Sequence, residues 1–175
     1  MSTDTTTVDR LQRVWDALDT LTDPEIPVVS LRALGILREL REAADGMLEV
    51  VITPTYSGCP AMGQIEDDVR AKLAELGVSA RVFTQLAPAW TTDWMTDEAR
   101  EQLRRYGIAP PQCGRTDATT SVVSFAAQAG QPLTVPCPQC ASTHTTEVSH
   151  FGSTACKAQY RCLDCLEPFD YFKSI

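Results

Sequence analysis

Histidine is almost missing from this chain: there are two in 175 residues, His144 and His150. So little imidazole leaves little general acid–base apparatus. The signatures of common catalytic centres are missing too. There is no phosphate-cradling glycine loop, no G-x-S-x-G, no H-E-x-x-H and no pair of Glu-x-x-His motifs for a diiron centre. Basic charge is scarce, with 15 Lys and Arg against 23 Asp and Glu and a net charge of −8. Phosphate backbones need a basic surface, so nucleic acid is not an expected partner. No apolar run is long enough to cross a bilayer, and residues 1–7 are polar with no basic-then-apolar signal pattern. The expectation is a cytoplasmic protein with no membrane partner.

What the chain does have is cysteine. Its seven cysteines are an odd number, so complete pairing within the chain is impossible, and cytoplasmic thiols stay reduced. Four of them form two C-x-x-C pairs, Cys137-Cys140 and Cys162-Cys165, with 21 residues between the pairs. That interval is close to the span of about 15–20 residues in four-thiolate zinc sites. Two cysteines three apart on a tight turn can aim both sulfurs at one point, and two such turns complete a tetrahedron. Residues 131–175 are too few to bury a convincing core, so a bound metal would supply the missing stabilisation. The same pattern also admits two disulfides, a redox C-x-x-C or rubredoxin-like iron. Redox chemistry fits poorly, because neither pair sits at an evident strand-to-helix junction. The segment carries only Lys157, Arg161 and Lys173 as basic residues.

Periodicity divides the rest. Val8, Leu11, Trp15, Leu18 and Leu21 recur at helical spacing. Asp23-Pro24 ends that helix, since a residue before proline is pushed out of the helical region. Residues 28–34 read as a short helical turn closed by Gly35. Residues 36–42 and 47–53 read as strands around the hairpin signal Asp45-Gly46. A second helix is expected over 62–76, with Ile65, Val69, Leu73 and Leu76 on one face and Gly77 as its stop. Residues 79–86 return as a strand, and Thr96 caps a last helix ending before Gly107. The fold class expected is α+β, a small sheet with helices on one side, followed by a C-terminal zinc ribbon. The division is 8–107 for the α+β domain, 108–121 for a linker opened by Ala109-Pro110-Pro111, and 122–175 for the ribbon, with 122–125 as its first strand.

Cys59 is the reactive candidate outside the ribbon. It lies in TPTYSGCPAMG, residues 53–63, after a strand and before a helix. Pro60 suits the first helical position, which would put Cys59 at or beside the N-cap, where the helix dipole favours a thiolate. A small buried residue filling a tight turn would look the same. Asp23 and Glu25, in DPEIP at residues 23–27, could ligate a metal. An Asx turn at Asp23 and a solvated charge at Glu25 explain them more simply. Thr53 and Thr55 could hydrogen-bond the loop that presents Cys59. Cys156 gives the tail a fifth thiol for four positions, and His144 and His150 are further potential ligands. Cys113 reads as an incidental surface thiol. Trp90 and Trp94 could face a partner or pack the sheet edge.

DPEIP, SLRALGI (residues 30–36) and TPTYSGCPAMGQIEDDV (residues 53–69) together resemble the metal–sulfur cluster biosynthesis domain of cytosolic iron–sulfur assembly factors. LAPAWTTDWMT, YGIAPP, FGSTACK and CLDCLEPFDYFK extend the resemblance to the PaaD family, also called PaaJ, of bacterial phenylacetate degradation. The resemblance implies a non-catalytic accessory or maturation protein of the multicomponent 1,2-phenylacetyl-CoA epoxidase. Its partners would be the oxygenase and reductase components. It places a transient iron or iron–sulfur cluster on Cys59, with Asp23 and Glu25 beside it, and structural zinc on Cys137, Cys140, Cys162 and Cys165. One thiolate holds a cluster poorly, so a homodimer or a client would have to add ligands. The alternative is a stoichiometric structural subunit of the oxygenase complex.

Overall fold

The computed structural model describes residues 4–112 and 134–174. Cys113 and the expected strand at 122–125 lie outside the described residues, as does most of the expected linker. The first helix, α1 (Asp4–Leu18), buries Val14 and Leu18. Two short strands follow, β1 (Thr22–Asp23) and β2 (Ile26–Ser30), paired antiparallel across the Pro24-Glu25 turn. Residues 26–30 are therefore strand, not the helical turn expected over 28–34; only 31–35 turn. The apolar run there has no period of its own. Pairing with β1 and packing of α3 against β2 decide its conformation.

β3 (Leu37–Glu42) and β4 (Leu48–Ile52) form the expected hairpin, from Leu37↔Ile52 to Glu42↔Leu48. A crossover through α2 (Met62–Glu75) brings β5 (Ala80–Thr84) parallel to β4. Ile65, Val69 and Leu73 form the buried stripe of α2, whereas Leu76, expected on the same face, is the C-cap and exposed. Gly77 follows its C-cap at φ 64°, a left-handed conformation that glycine adopts without strain. Helix α3 (Asp97–Tyr106) begins at Thr96, whose hydroxyl accepts from the Ala99 amide at 3.1 Å. α1 and α2 pack on each other and reach β3 and β5, while α3 packs on β2.

The second sheet runs β6-β9-β8-β7, built from β6 (Ile108–Ala109), β7 (Thr145–Ser149), β8 (Lys157–Cys162) and β9 (Pro168–Phe172). β6 lies where the sequence suggested a linker. It pairs parallel to β9, with Ile108 opposite Asp170. The chain thus enters the ribbon's sheet directly from α3. Two apolar clusters result. One holds Val135, Cys137, Tyr160, Cys162, Phe169 and Tyr171 within the ribbon. The larger core, under the first sheet, contains Phe172 and Cys156 from the ribbon side. Trp90 is buried there, its indole N–H donating to the Leu34 carbonyl at 3.0 Å and its ring 5.9 Å from that of Phe172. Trp94 carries the Arg38 guanidinium over its ring at 3.5 Å. Both tryptophans therefore have partners inside the chain.

Candidate functional site

Each C-x-x-C sits on a turn beside a ribbon strand. The Cys137 amide bonds the Ser142 carbonyl at 2.8 Å, and the Ala141 amide bonds the Cys137 carbonyl at 2.9 Å. The Cys165 amide donates to the Cys162 sulfur at 3.5 Å. Across the two turns, Cys137 Sγ lies 3.7 Å from Cys165 Sγ, and Cys140 Sγ lies 3.6 Å from Cys162 Sγ. All four sulfurs fall within 4.8 Å of one another. Sulfurs on a tetrahedron with bonds of about 2.3 Å are about 3.8 Å apart, so the spacing fits one thiolate-bound ion. A disulfide would need about 2.05 Å.

The amides of Cys165 and Asp164 hold the Cys162 thiol well below its ordinary range, down to about 6. The histidines take other positions. His144 Nδ1 lies 3.0 Å from Asp164 Oδ1, and Ser142 bonds the other oxygen of the same carboxylate, so this group ties the two turns together. His150 Nδ1 sits 3.3 Å from Glu147.

Cys59 lies beyond the C-terminal end of β4, in a loop where open sheets with parallel strands commonly place their ligands. Helix α2 starts at Met62 with Ala61 as its N-cap, so Cys59 is not the cap that the sequence suggested. Residues 57–61 form turns instead, with the Cys59 amide on the Tyr56 carbonyl at 3.1 Å. The half-buried thiol is pushed up from its ordinary value chiefly by burial. The Ala61 amide on its sulfur opposes the shift, while Cys156, Asp23 and Glu25 add to it. The thiol is therefore neutral, where a capping position would have given a thiolate.

Asp23 is buried and accepts from the amides of Glu25 at 2.8 Å and Ile26 at 3.0 Å, the Asx turn expected of it. Burial nonetheless raises its carboxyl above the ordinary range, and those two amides act against the shift. Glu25 faces the ribbon, with Oε2 3.8 Å from Lys157 Nζ. Thr53 and Thr55 are buried at the root of the loop, and Thr53 Oγ1 has no hydrogen-bond partner among the described residues. Two further members of this neighbourhood escaped the sequence reading. Tyr56 packs against the core that holds Cys156, and Lys157 is buried between Glu25 and Asp170. Tyr56 lies in TPTYSGCPAMG and Lys157 in FGSTACK, and a sequence does not show that the two motifs border one core.

Comparison with known proteins agrees with this geometry. Residues 11–82 match the family model described as iron–sulfur cluster assembly protein, and residues 121–173 match the PaaD zinc beta ribbon domain. A protein of Escherichia coli (strain K12), named as one of the subunits of 1,2-phenylacetyl-CoA epoxidase, is 46% identical over 95% of this chain and 94% of its own. The chain belongs to the PaaD family. Its first half is also 38% identical to an Fe-S protein maturation auxiliary factor of Porphyromonas gingivalis, covering 49% of this chain and 83% of that one. A crystal structure of a domain of unknown function, DUF59, from Bacillus anthracis has the same fold, with TM-score 0.50 and 24% identity. It covers 55% of this chain and 92% of that one. The α+β domain and the zinc ribbon of a PaaD-family member are thus both present. Among the described residues no helix is long and apolar enough to cross a membrane.

Proposed function

We propose that this chain is an accessory factor of a phenylacetyl-CoA epoxidase, and that it delivers iron or an iron–sulfur cluster to a component of that complex. Cys59 is the cargo ligand, with Asp23 and Glu25 beside it. Cys137, Cys140, Cys162 and Cys165 hold a structural zinc ion. The observation that carries the reading is the contrast between the two thiol sites. Four ribbon sulfurs gather at tetrahedral distances, whereas among the described residues no closed group of three or more ligands forms at Cys59. A closed cage retains its ion, and an open thiol can take a cargo and release it. The name of the E. coli relative supports the epoxidase, and the names of the shorter relatives support iron–sulfur maturation. The reading also treats residues 8–107 as the cargo module and 122–175 as the module that meets the client.

The ribbon gives a second reading some support. Val148, Phe151, Leu163 and Leu166 are exposed on it, a surface suited to a subunit that stays bound. Two measurements separate the readings. Anaerobically purified native protein should contain one zinc plus iron and sulfide, while Cys59→Ala should contain zinc alone and yield client lacking its cluster. A fully loaded client made beside Cys59→Ala rejects the delivery role. Leaving the chain out of a purified, pre-loaded epoxidase should not change the rate, and a lost rate favours the permanent subunit.

A further inference from the structure

The two cysteine turns of the ribbon share one backbone design. The Cys137 amide bonds the Ser142 carbonyl at 2.8 Å, and the Cys162 amide makes the same bond to the Glu167 carbonyl at 3.0 Å. The second cysteine of each pair precedes a residue in the left-handed region, Ala141 at φ 60° and Leu166 at φ 66°. The turns differ in cover. Cys137 is 2% exposed and Cys162 0%, Cys165 is half-buried, and Cys140 is exposed together with its neighbours Gln139 and Ala141. Away from the ribbon, Cys59 is half-buried and Cys156 buried. Among the described residues, Cys140 is therefore the only exposed cysteine.

Exposure decides which thiol an oxidant meets, because the sulfur must touch it directly. A sulfur that coordinates a cation is also deprotonated outright. With the ribbon's ion in place, Cys140 is thus both open to solvent and a thiolate. A second thiol is within reach: Cys162 Sγ, on the other turn, lies 3.6 Å away. An accessible thiolate poised next to a resolving thiol is the arrangement that makes a cysteine sensitive to oxidation. The other cross-turn pair, Cys137 and Cys165 at 3.7 Å, has no exposed member.

We infer that Cys140 is a site of reversible oxidation by hydrogen peroxide, that Cys162 is its resolving thiol, and that closure of this pair makes the ribbon give up its zinc. The inference goes beyond the delivery reading and rests only on the ribbon's zinc. The Cys140 thiolate attacks one peroxide oxygen, the O–O bond breaks, and hydroxide leaves a sulfenic acid behind. The Cys162 thiolate then attacks that sulfur, the S–O bond breaks, and a second hydroxide leaves. Two thiolates and one peroxide become one disulfide and two hydroxides, so two electrons pass from sulfur to oxygen. Bond formation draws the sulfurs from 3.6 Å to about 2.05 Å. Each turn thereby loses one of its two ligands, and a four-thiolate site has no spare ligand to replace them. A dithiol reductant reverses the step by thiol–disulfide exchange.

The test adds hydrogen peroxide, one equivalent per chain, to the native full chain after its zinc content has been measured. A chromophoric chelator reads the zinc released. Each oxidised chain should lose its one zinc, while the chain without peroxide keeps it. Dithiothreitol and added zinc should restore the metal content. Peptide mapping should find Cys140 joined to Cys162, and dimedone, which traps sulfenic acid, should label Cys140 when present from the start. Dimedone on another cysteine in place of Cys140, or a bridge within either C-x-x-C, overturns the inference. So does zinc that stays bound once the peroxide is consumed. A chain that purifies without zinc overturns it together with the reading of the ribbon as a zinc site. The test needs no variant, so no ligand is removed and the fold is not put at risk.

Discussion

At Cys59 two effects oppose each other, and burial wins. The amide of Ala61 draws the sulfur toward the thiolate, but removal from water and the neighbouring acids outweigh it. Because the folded thiol ionises above the ordinary 9.0, the stability it lends is complete below that pH and is lost as pH rises through the higher value. Iodoacetamide should therefore label native Cys59 more slowly than the same cysteine in the denatured chain at about pH 8. The gap should narrow once the pH passes the raised value. Equal rates at about pH 8 would place the thiol at its free value. The sequence marked Cys59 as the residue of interest and left open a thiolate near a helix N-cap and a buried thiol in a tight turn. Pro60 looked like the first helical residue, although the apolar period begins at 62, where the helix does start.

At the scale of elements, helices were the most legible features. Thr96, Asp97, Glu98 and Gly107 bracket α3 by capping chemistry, which acts within a turn and so is visible in a few letters. β2 and β6 were hidden for the opposite reason. Their conformations depend on partners, β1 for one and the distant β9 for the other. The turn between β2 and β3 shows how tightly such partners constrain the chain. Gly35 has φ 76°, and a Cβ there would lie 2.7 Å from the Trp94 Cβ. Gly35→Ala should cost more than about 2 kcal/mol, from backbone strain together with the clash. Thr96→Ala removes one capping bond and should cost about 1 kcal/mol. Urea denaturation of both variants checks the order. A Gly35→Ala variant as stable as Thr96→Ala would show that the turn relaxes at little cost.

For the whole molecule, the division into an assembly domain and a ribbon was readable, because cysteine spacing and hydrophobic period are local patterns. The joint between them was not. Cys156, Lys157 and Phe172 reach the first core and its rim through contacts with residues far away in the chain, such as Glu25 and Trp90. A consequence is that removing the ribbon's metal should be felt outside the ribbon. Chelation should lower the thermal midpoint of the helical circular dichroism signal, although no helix carries a ribbon cysteine. A helical midpoint unchanged by chelation would mean that the two units melt apart.

Phe172, packed on Trp90, has one more implication, which concerns time. Residue 172 leaves the ribosome 64 residues after Ile108, which joins the same core from the same sheet. At about 5–20 residues per second, the first core waits several seconds for its last aromatic ring. In that interval Glu25 lacks Lys157 as well. The first core and its rim are therefore completed only when the ribbon has been made.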